Sequence, residues 1–184
     1  MADYLTPKVY PKSLELSTNA SKLTAVSADP ESRWLDAEQM DAWLGLVGVL
    51  IKLPAALDTQ LQRDAEVSHF EYQVLAGLSE APERTLRMST IAQFANGSLS
   101  RLSHVVQRLE DRGWVTRVPC PEDRRATNAV LTDAGYAKVV ATAPGHVETV
   151  RRLVIDVLTS AQLAELSRIT TTVVTTIEED PAFG

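Results

Sequence analysis

The sequence is poor in the groups that most protein chemistry uses. Its 184 residues include one cysteine and three histidines. No internal disulfide can form, and no Cys/His set stands at metal-ligand spacing. There is no Gly-rich phosphate loop and no nucleophile motif. The expectation is therefore not an enzyme, with no catalytic residue, cofactor or metal ligand to assign. Aromatics make up only 5% of the chain, and Gly and Pro are at ordinary levels, which favours a mainly helical body. The lone cysteine fits a reducing compartment. No apolar run approaches the roughly 20 residues that span a membrane, and the start, MADYLTPKVYPKS, lacks the apolar core of a secretory signal. These absences predict a cytoplasmic chain without a membrane partner.

What is present is an uneven charge. The net charge is −6, yet residues 84–125 carry eight arginines (84, 87, 101, 108, 112, 117, 124, 125) against four acids (110, 111, 122, 123). That segment is +4, so the remainder is −10. A basic module in an acidic body is the electrostatic footprint of a nucleic-acid reader, although a solvated arginine face gives the same count.

The organisation follows from period and punctuation. Residues 1–35 form a polar N-terminal extension. Over 36–66, Met40, Trp43, Leu44, Val47, Leu50, Ile51, Leu57 and Leu61 recur at steps of three and four, predicting one apolar helix kinked or restarted at Pro54. Ser68-His-Phe-Glu71 is a capping box opening a second helix to about Gly77. Ser89 is placed as the cap of a short third helix, Asn96-Gly97 as a turn, and Ser98 as the cap of a fourth helix ending at Gly113. Trp114–Pro119 and Ala126–Leu131 read as a two-stranded hairpin with Cys120-Pro-Glu-Asp-Arg-Arg125 at its tip. Residues 132–184 carry two more helices. Thr132 caps the first, which Pro144-Gly145 should kink or break, and the capping box Thr159-Ser-Ala-Gln162 opens the second. The β-branched run ITTTVVTTI at 169–177 prefers a strand locally, but its apolar positions continue the helical period.

Two short helices, a tight turn and a basic hairpin describe a helix-turn-helix with a wing, over residues 67–131. The fourth helix is two-faced. Leu99, Leu102, Val105, Val106 and Leu109 point to a core. Ser98, Ser100, Arg101, Ser103, His104, Gln107 and Arg108 offer short polar and cationic groups suited to base edges and phosphates in a major groove. Gln107 suits an adenine edge, and Arg101 a guanine or a phosphate. Glu110 and Asp111 belong at the far end, clear of the DNA. Arg124 and Arg125 could reach a flanking minor groove, with Asp123 holding one of them in position.

These pieces, SLSRLSHVVQRLEDRGWVTR, PEDRRATNAVLTDAG and SHFEYQVLAGLSEAP, resemble the MarR family of winged helix-turn-helix transcriptional regulators. The family's Asp-x-Arg wing signature stands here as Asp123-Arg124-Arg125. The resemblance covers about residues 36–180. It implies a mainly α fold with a β wing, and a homodimer interlocked through the first helix and the last two. It further implies a repressor reading an inverted-repeat operator and released by a small aromatic effector bound between the dimerisation and DNA-binding parts. In the family the position of His104 is frequently arginine. That departure puts a phosphate contact in doubt and makes binding more sensitive to pH.

Alternatives remain at this point. A protein-interaction module could keep the winged fold without reading DNA. Cys120 among wing arginines could be redox-active or an incidental turn residue. For an effector pocket, Trp43, Tyr72 and His146 are candidates, though core packing explains the first two equally well and an exposed turn explains His146.

Overall fold

The computed structural model describes residues 33–94, 99–121, 123 and 125–182. Its order is α1 (Ala37–Ala65), α2 (His69–Glu80), β1 (Thr85–Arg87), α3 (Met88–Phe94), α4 (Leu99–Asp111), β2 (Val115–Pro119), β3 (Thr127–Leu131), α5 (Asp133–Val150) and α6 (Ser160–Glu179). The chain divides into two compact units after Lys52, inside α1.

In the first unit, α1 is opened by a reciprocal cap. The Asp36 N–H donates to Gln39 Oε1 and the Gln39 N–H to Asp36 Oδ1. Trp34, Trp43, Leu46, Val49, Leu50 and Ile51 are all exposed. Pro54 lies inside α1 without a restart. The helix also holds an 18-residue window of mean hydropathy 1.6, long and apolar enough by length and composition to cross a membrane. This corrects the expectation drawn from uninterrupted runs, because Lys52 and Pro54 interrupt the run without lowering the average much.

The second unit is built on one apolar core. Val74, Leu75 and Leu78 of α2 meet Ile91 and Ala92 of α3, then Leu102, Val105, Val106 and Leu109 of α4, with Val115, Ala129, Leu131 and Val139 closing it. A smaller cluster joins Leu61 and Ala65 of α1 to Val67 and Tyr72, and Trp114 packs against both clusters. The box at Ser68 forms as expected: the Glu71 N–H donates to Ser68 Oγ and the Ser68 N–H to Glu71 Oε2. Thr132 and Thr159 also cap their helices. The β-branched run is helical within α6.

The two-stranded wing forms as expected from β2 and β3; three other expectations need correction, and one strand is added. That strand, β1, joins the wing in an antiparallel sheet ordered β1-β3-β2, with Leu86 opposite Ala129 and Arg117 opposite Ala129 on the other side. Three residues are too short a strand to show an alternation, so β1 is invisible in the pattern. Because β1 runs directly into α3 at Met88, Ser89 lies inside the helix and caps nothing. The second helix continues past Gly77 to Glu80. Lastly, α5 passes through Pro144-Gly145 and loosens only at a π-helical turn over Arg151–Ile155. The Asn96-Gly97 turn and the Ser98 cap lie outside the described residues.

The wing joins α5 through a close approach. The Thr132 N–H donates to the Trp114 carbonyl at 3.0 Å and Thr132 Oγ1 to the Gly113 carbonyl at 2.7 Å. Gly135 sits against the same strand start, where an added Cβ would lie 2.1 Å from the Trp114 carbonyl oxygen. Only glycine fits there.

Candidate nucleic-acid interface

Helix α4 presents its faces as the period predicts, with one exception. Leu102, Val105, Val106 and Leu109 are buried, but Leu99 is exposed, since it opens the helix ahead of the core. Ser100, Arg101, His104, Gln107 and Arg108 are exposed, and Ser103 is half-buried. Ser98 lies outside the described residues.

Several of these side chains already have partners in the protein. Arg101 lies over the Phe70 ring, 4.7 Å from its centre. The Arg108 Nε donates to Glu71 Oε1 at 2.9 Å, tying the reading helix to the start of α2. Burial alone would push the Glu71 carboxyl up. The Ser68 N–H, Arg108 and the Ser68 hydroxyl more than offset that and hold it below the ordinary glutamate range. Gln107 is held at both ends: its Nε2 donates to Asp111 Oδ1 at 3.0 Å, while Arg117 Nη2 donates to its Oε1. Arg117 in turn donates from Nε to Glu110 Oε2 at 2.6 Å and from its backbone N–H to Glu110 Oε1 at 2.7 Å.

The charge count therefore overstates what a phosphate would meet. Beyond Arg101, Arg108 and Arg117, Arg84 pairs with Asp133 and lies over Tyr136. Arg112 donates to the Glu66 carbonyl and lies over Trp114. Sequence counting cannot separate such anchoring arginines from reading ones.

At the wing tip, Arg125 is exposed and Arg124 lies outside the described residues. Asp123 does shape the tip, but through the backbone. Its Oδ1 accepts the Arg125 N–H at 3.0 Å and its carbonyl accepts the Ala126 N–H at 2.9 Å. The Cys120 side chain is buried, with the residue only 4% exposed, which removes the access that a redox-sensing thiol needs.

A cleft of about 870 Å³ opens beside α4 between Pro54, His69, Phe70, Arg101, His104 and Arg108. Next to it, His146 lies inside α5 rather than in an exposed turn. Its ring centre is 4.7 Å from Tyr72 and 6.2 Å from His69. Its Nδ1 is buried with no hydrogen-bond partner among the described residues. Tyr72 is buried, and Trp43 is half-exposed in the other unit.

The packed helices α2, α3 and α4, with an antiparallel wing beside them, are the arrangement of a winged helix-turn-helix protein. Residues 67–126 match the MarR family. The chain is 34% identical over 119 residues to the HTH-type transcriptional regulator PecS of Dickeya dadantii, covering 64% of this chain and 70% of that protein. Its structure is similar to that of Sco3205, a MarR family transcriptional regulator from Streptomyces coelicolor solved in complex with DNA, at 44% identity and TM-score 0.77 over 84% of this chain and 96% of that one. AbsC, a MarR family transcriptional regulator from the same organism, aligns at 34% identity and TM-score 0.76 over 81% of this chain and 100% of that one. The chain belongs to the MarR family and is a transcriptional regulator; the family and these relatives are not enzymes.

Proposed function

We propose that the chain binds an inverted-repeat DNA operator as a homodimer, represses transcription in the cytoplasm, and is released by a small aromatic ligand. The observation that carries DNA reading is the exposed polar face of α4, Ser100, Arg101, His104 and Gln107, standing on a packed helical core beside a wing with Arg125 exposed. That Sco3205 was solved in complex with DNA supports the same use here. In this reading Ser98, Ser100, Arg101, Ser103, His104 and Gln107 enter the major groove, Arg124 and Arg125 reach the minor groove, and Asp123 shapes the tip. Arg108 acts first as a strut to Glu71 and secondarily as a phosphate contact.

Dimerisation draws support from apolar surface that the single chain leaves uncovered. Leu50 and Ile51 of α1 and Ile169, Val173, Val174 and Ile177 of α6 are exposed, and patches of this kind mark contacts with another chain. The effector would take the cleft beside α4, where a ligand touching Arg101 or His104 alters the reading face directly. The winged-helix interaction module that does not read DNA is the reading to beat.

The test is a gel shift of wild type and Arg125→Ala on the chain's own upstream region across salt. A specific shift that weakens steeply with salt, and that Arg125→Ala weakens with a shallower salt slope, is expected. An unchanged shift with Arg125→Ala would remove the wing from the interface, and no specific shift at low salt would favour the interaction module.

A further inference from the structure

Gln107 would be an ambiguous reader if its amide were unrestrained. Turning the amide over exchanges donor and acceptor, so the side chain could suit more than one base edge. Here the turn is blocked by chemistry. Arg117 can only donate, so it fixes Oε1 on its own side; the Asp111 carboxylate can only accept, so it fixes Nε2 on the other. Glu110 holds Arg117 in place through both its backbone N–H and its Nε.

We infer that Arg117, from wing strand β2, together with Asp111 sets Gln107 as an adenine reader, so that base choice on α4 is determined partly by residues that touch no base. The inference rests on the DNA-reading proposal. With one lone pair of Oε1 and one N–H of Nε2 committed inside the protein, Gln107 has one acceptor and one donor left, in fixed order. That pair complements the N6 amino donor and N7 acceptor of adenine in the major groove. Cytosine offers only a donor there and guanine only acceptors, so each satisfies half of it. Arg117 is thus a positioning residue. Its charge is matched by Glu110, which separates this role from a general attraction for phosphate.

The experiment is selection of bound sites from a randomised duplex pool by the full chain, comparing wild type, Gln107→Ala, Arg117→Ala, Asp111→Ala and the Gln107→Ala/Arg117→Ala double variant. Wild type is expected to enrich adenine at one position in each half-site. Gln107→Ala should flatten that position by roughly tenfold in preference. Arg117→Ala should flatten the same position and leave the others sharp, and the double variant should be no flatter than Gln107→Ala. If Arg117→Ala does not fold, as judged by thermal unfolding, Asp111→Ala at an exposed site decides, with flattening at the same position expected. Uniform weakening at every position, or flattening by Gln107→Ala alone, overturns the inference while leaving DNA reading intact. A wild-type protein that enriches no motif overturns both.

Discussion

Helices α4 and α6 carry the same kind of sequence pattern and meet opposite fates. In α4, Leu102, Val105, Val106 and Leu109 are buried among α2, α3 and the sheet. In α6, Leu166, Ile169, Val173, Val174 and Ile177 recur at similar steps, yet α6 has no buried residue at all. A helical period states that a face seeks cover; it does not state what provides it. The sequence of α6 is also a weak helix former, with Thr and Val through most of its second half, so propensity alone is a poor account of its stability. Among the described residues nothing buries any residue of α6, and a second copy is the occupant proposed above.

The largest effect should come from spoiling the well-packed side. Gly135→Ala would drive its Cβ to 2.1 Å from a carbonyl oxygen that is itself fixed by the Thr132 N–H. Neither backbone can retreat as a side chain would, so the cost should reach at least about 3 kcal/mol, beyond most overpacking. Denaturant unfolding would measure it. A loss under about 1 kcal/mol would mean that α5 is no more firmly seated than α6 looks.

Next in size is the contrast itself. Leu102→Ala should cost about 3 kcal/mol at any protein concentration. Ile169→Asp should cost a lone chain almost nothing, within about 0.5 kcal/mol, because the site is exposed. In a dimer it would bury a charge, and light scattering should then show a monomer at concentrations where wild type is dimeric. An unchanged mass for Ile169→Asp would remove α6 from the interface.

A smaller effect should follow pH, at the joint between α2 and α5. Burial lowers the pKa of both His69 and His146; for His146 the nearby His69 adds to the shift, and for His69 Asp58 opposes it. Arg101, His104 and Arg108 of α4 line the same cleft as His69, and burial raises the pKa of Tyr72. The unfolded histidines titrate near about 6.5, so on acidification the unfolded chain takes up protons first. Stability contributed by the neutral pair is whole above about pH 6.5 and is lost as pH falls through that value toward the lower folded pKa. Tm should hold near about pH 8 and fall by a few degrees near about pH 5.5. His146→Gln should flatten the fall. The Glu71 carboxylate, held below the ordinary range near about 4.3, adds its own loss only in stronger acid.

Elements with their own punctuation were legible from the sequence. The boxes at Ser68 and Thr159 and the cap at Thr132 placed three helix starts because each is a local bond between near neighbours. The elements that were missed depend on distant partners. The strand β1 exists only through its pairing with β3, and α5 runs on through Pro144-Gly145, which read locally as a break. For the site, the exposed residues of α4 followed from the period, but the duties of the arginines did not. Arg108 answers to Glu71, thirty-seven positions away, and Arg117 reaches across to Gln107. Neither spacing repeats or marks itself. His146 was misplaced because Pro144-Gly145 reads as a break.

The smallest effect tests α6 on two adjacent residues by sign. Thr172 is exposed and its hydroxyl is spent on the Arg168 carbonyl one turn back, at 3.0 Å, a bond that adds little to an already satisfied backbone group. Thr172→Ala should therefore raise stability by a few tenths of a kcal/mol, since alanine is the better helix former. Val173, its neighbour on the apolar stripe, should behave oppositely. If a second chain covers it, Val173→Ala removes two buried methyl groups and lowers stability by about 1 kcal/mol or more. If nothing covers it, the same substitution follows propensity and raises stability, as at Thr172. Thermal unfolding of the two variants at one concentration separates these cases. Gains at both positions would mean that α6 is held by its own backbone and that the contrast with α4 has another origin.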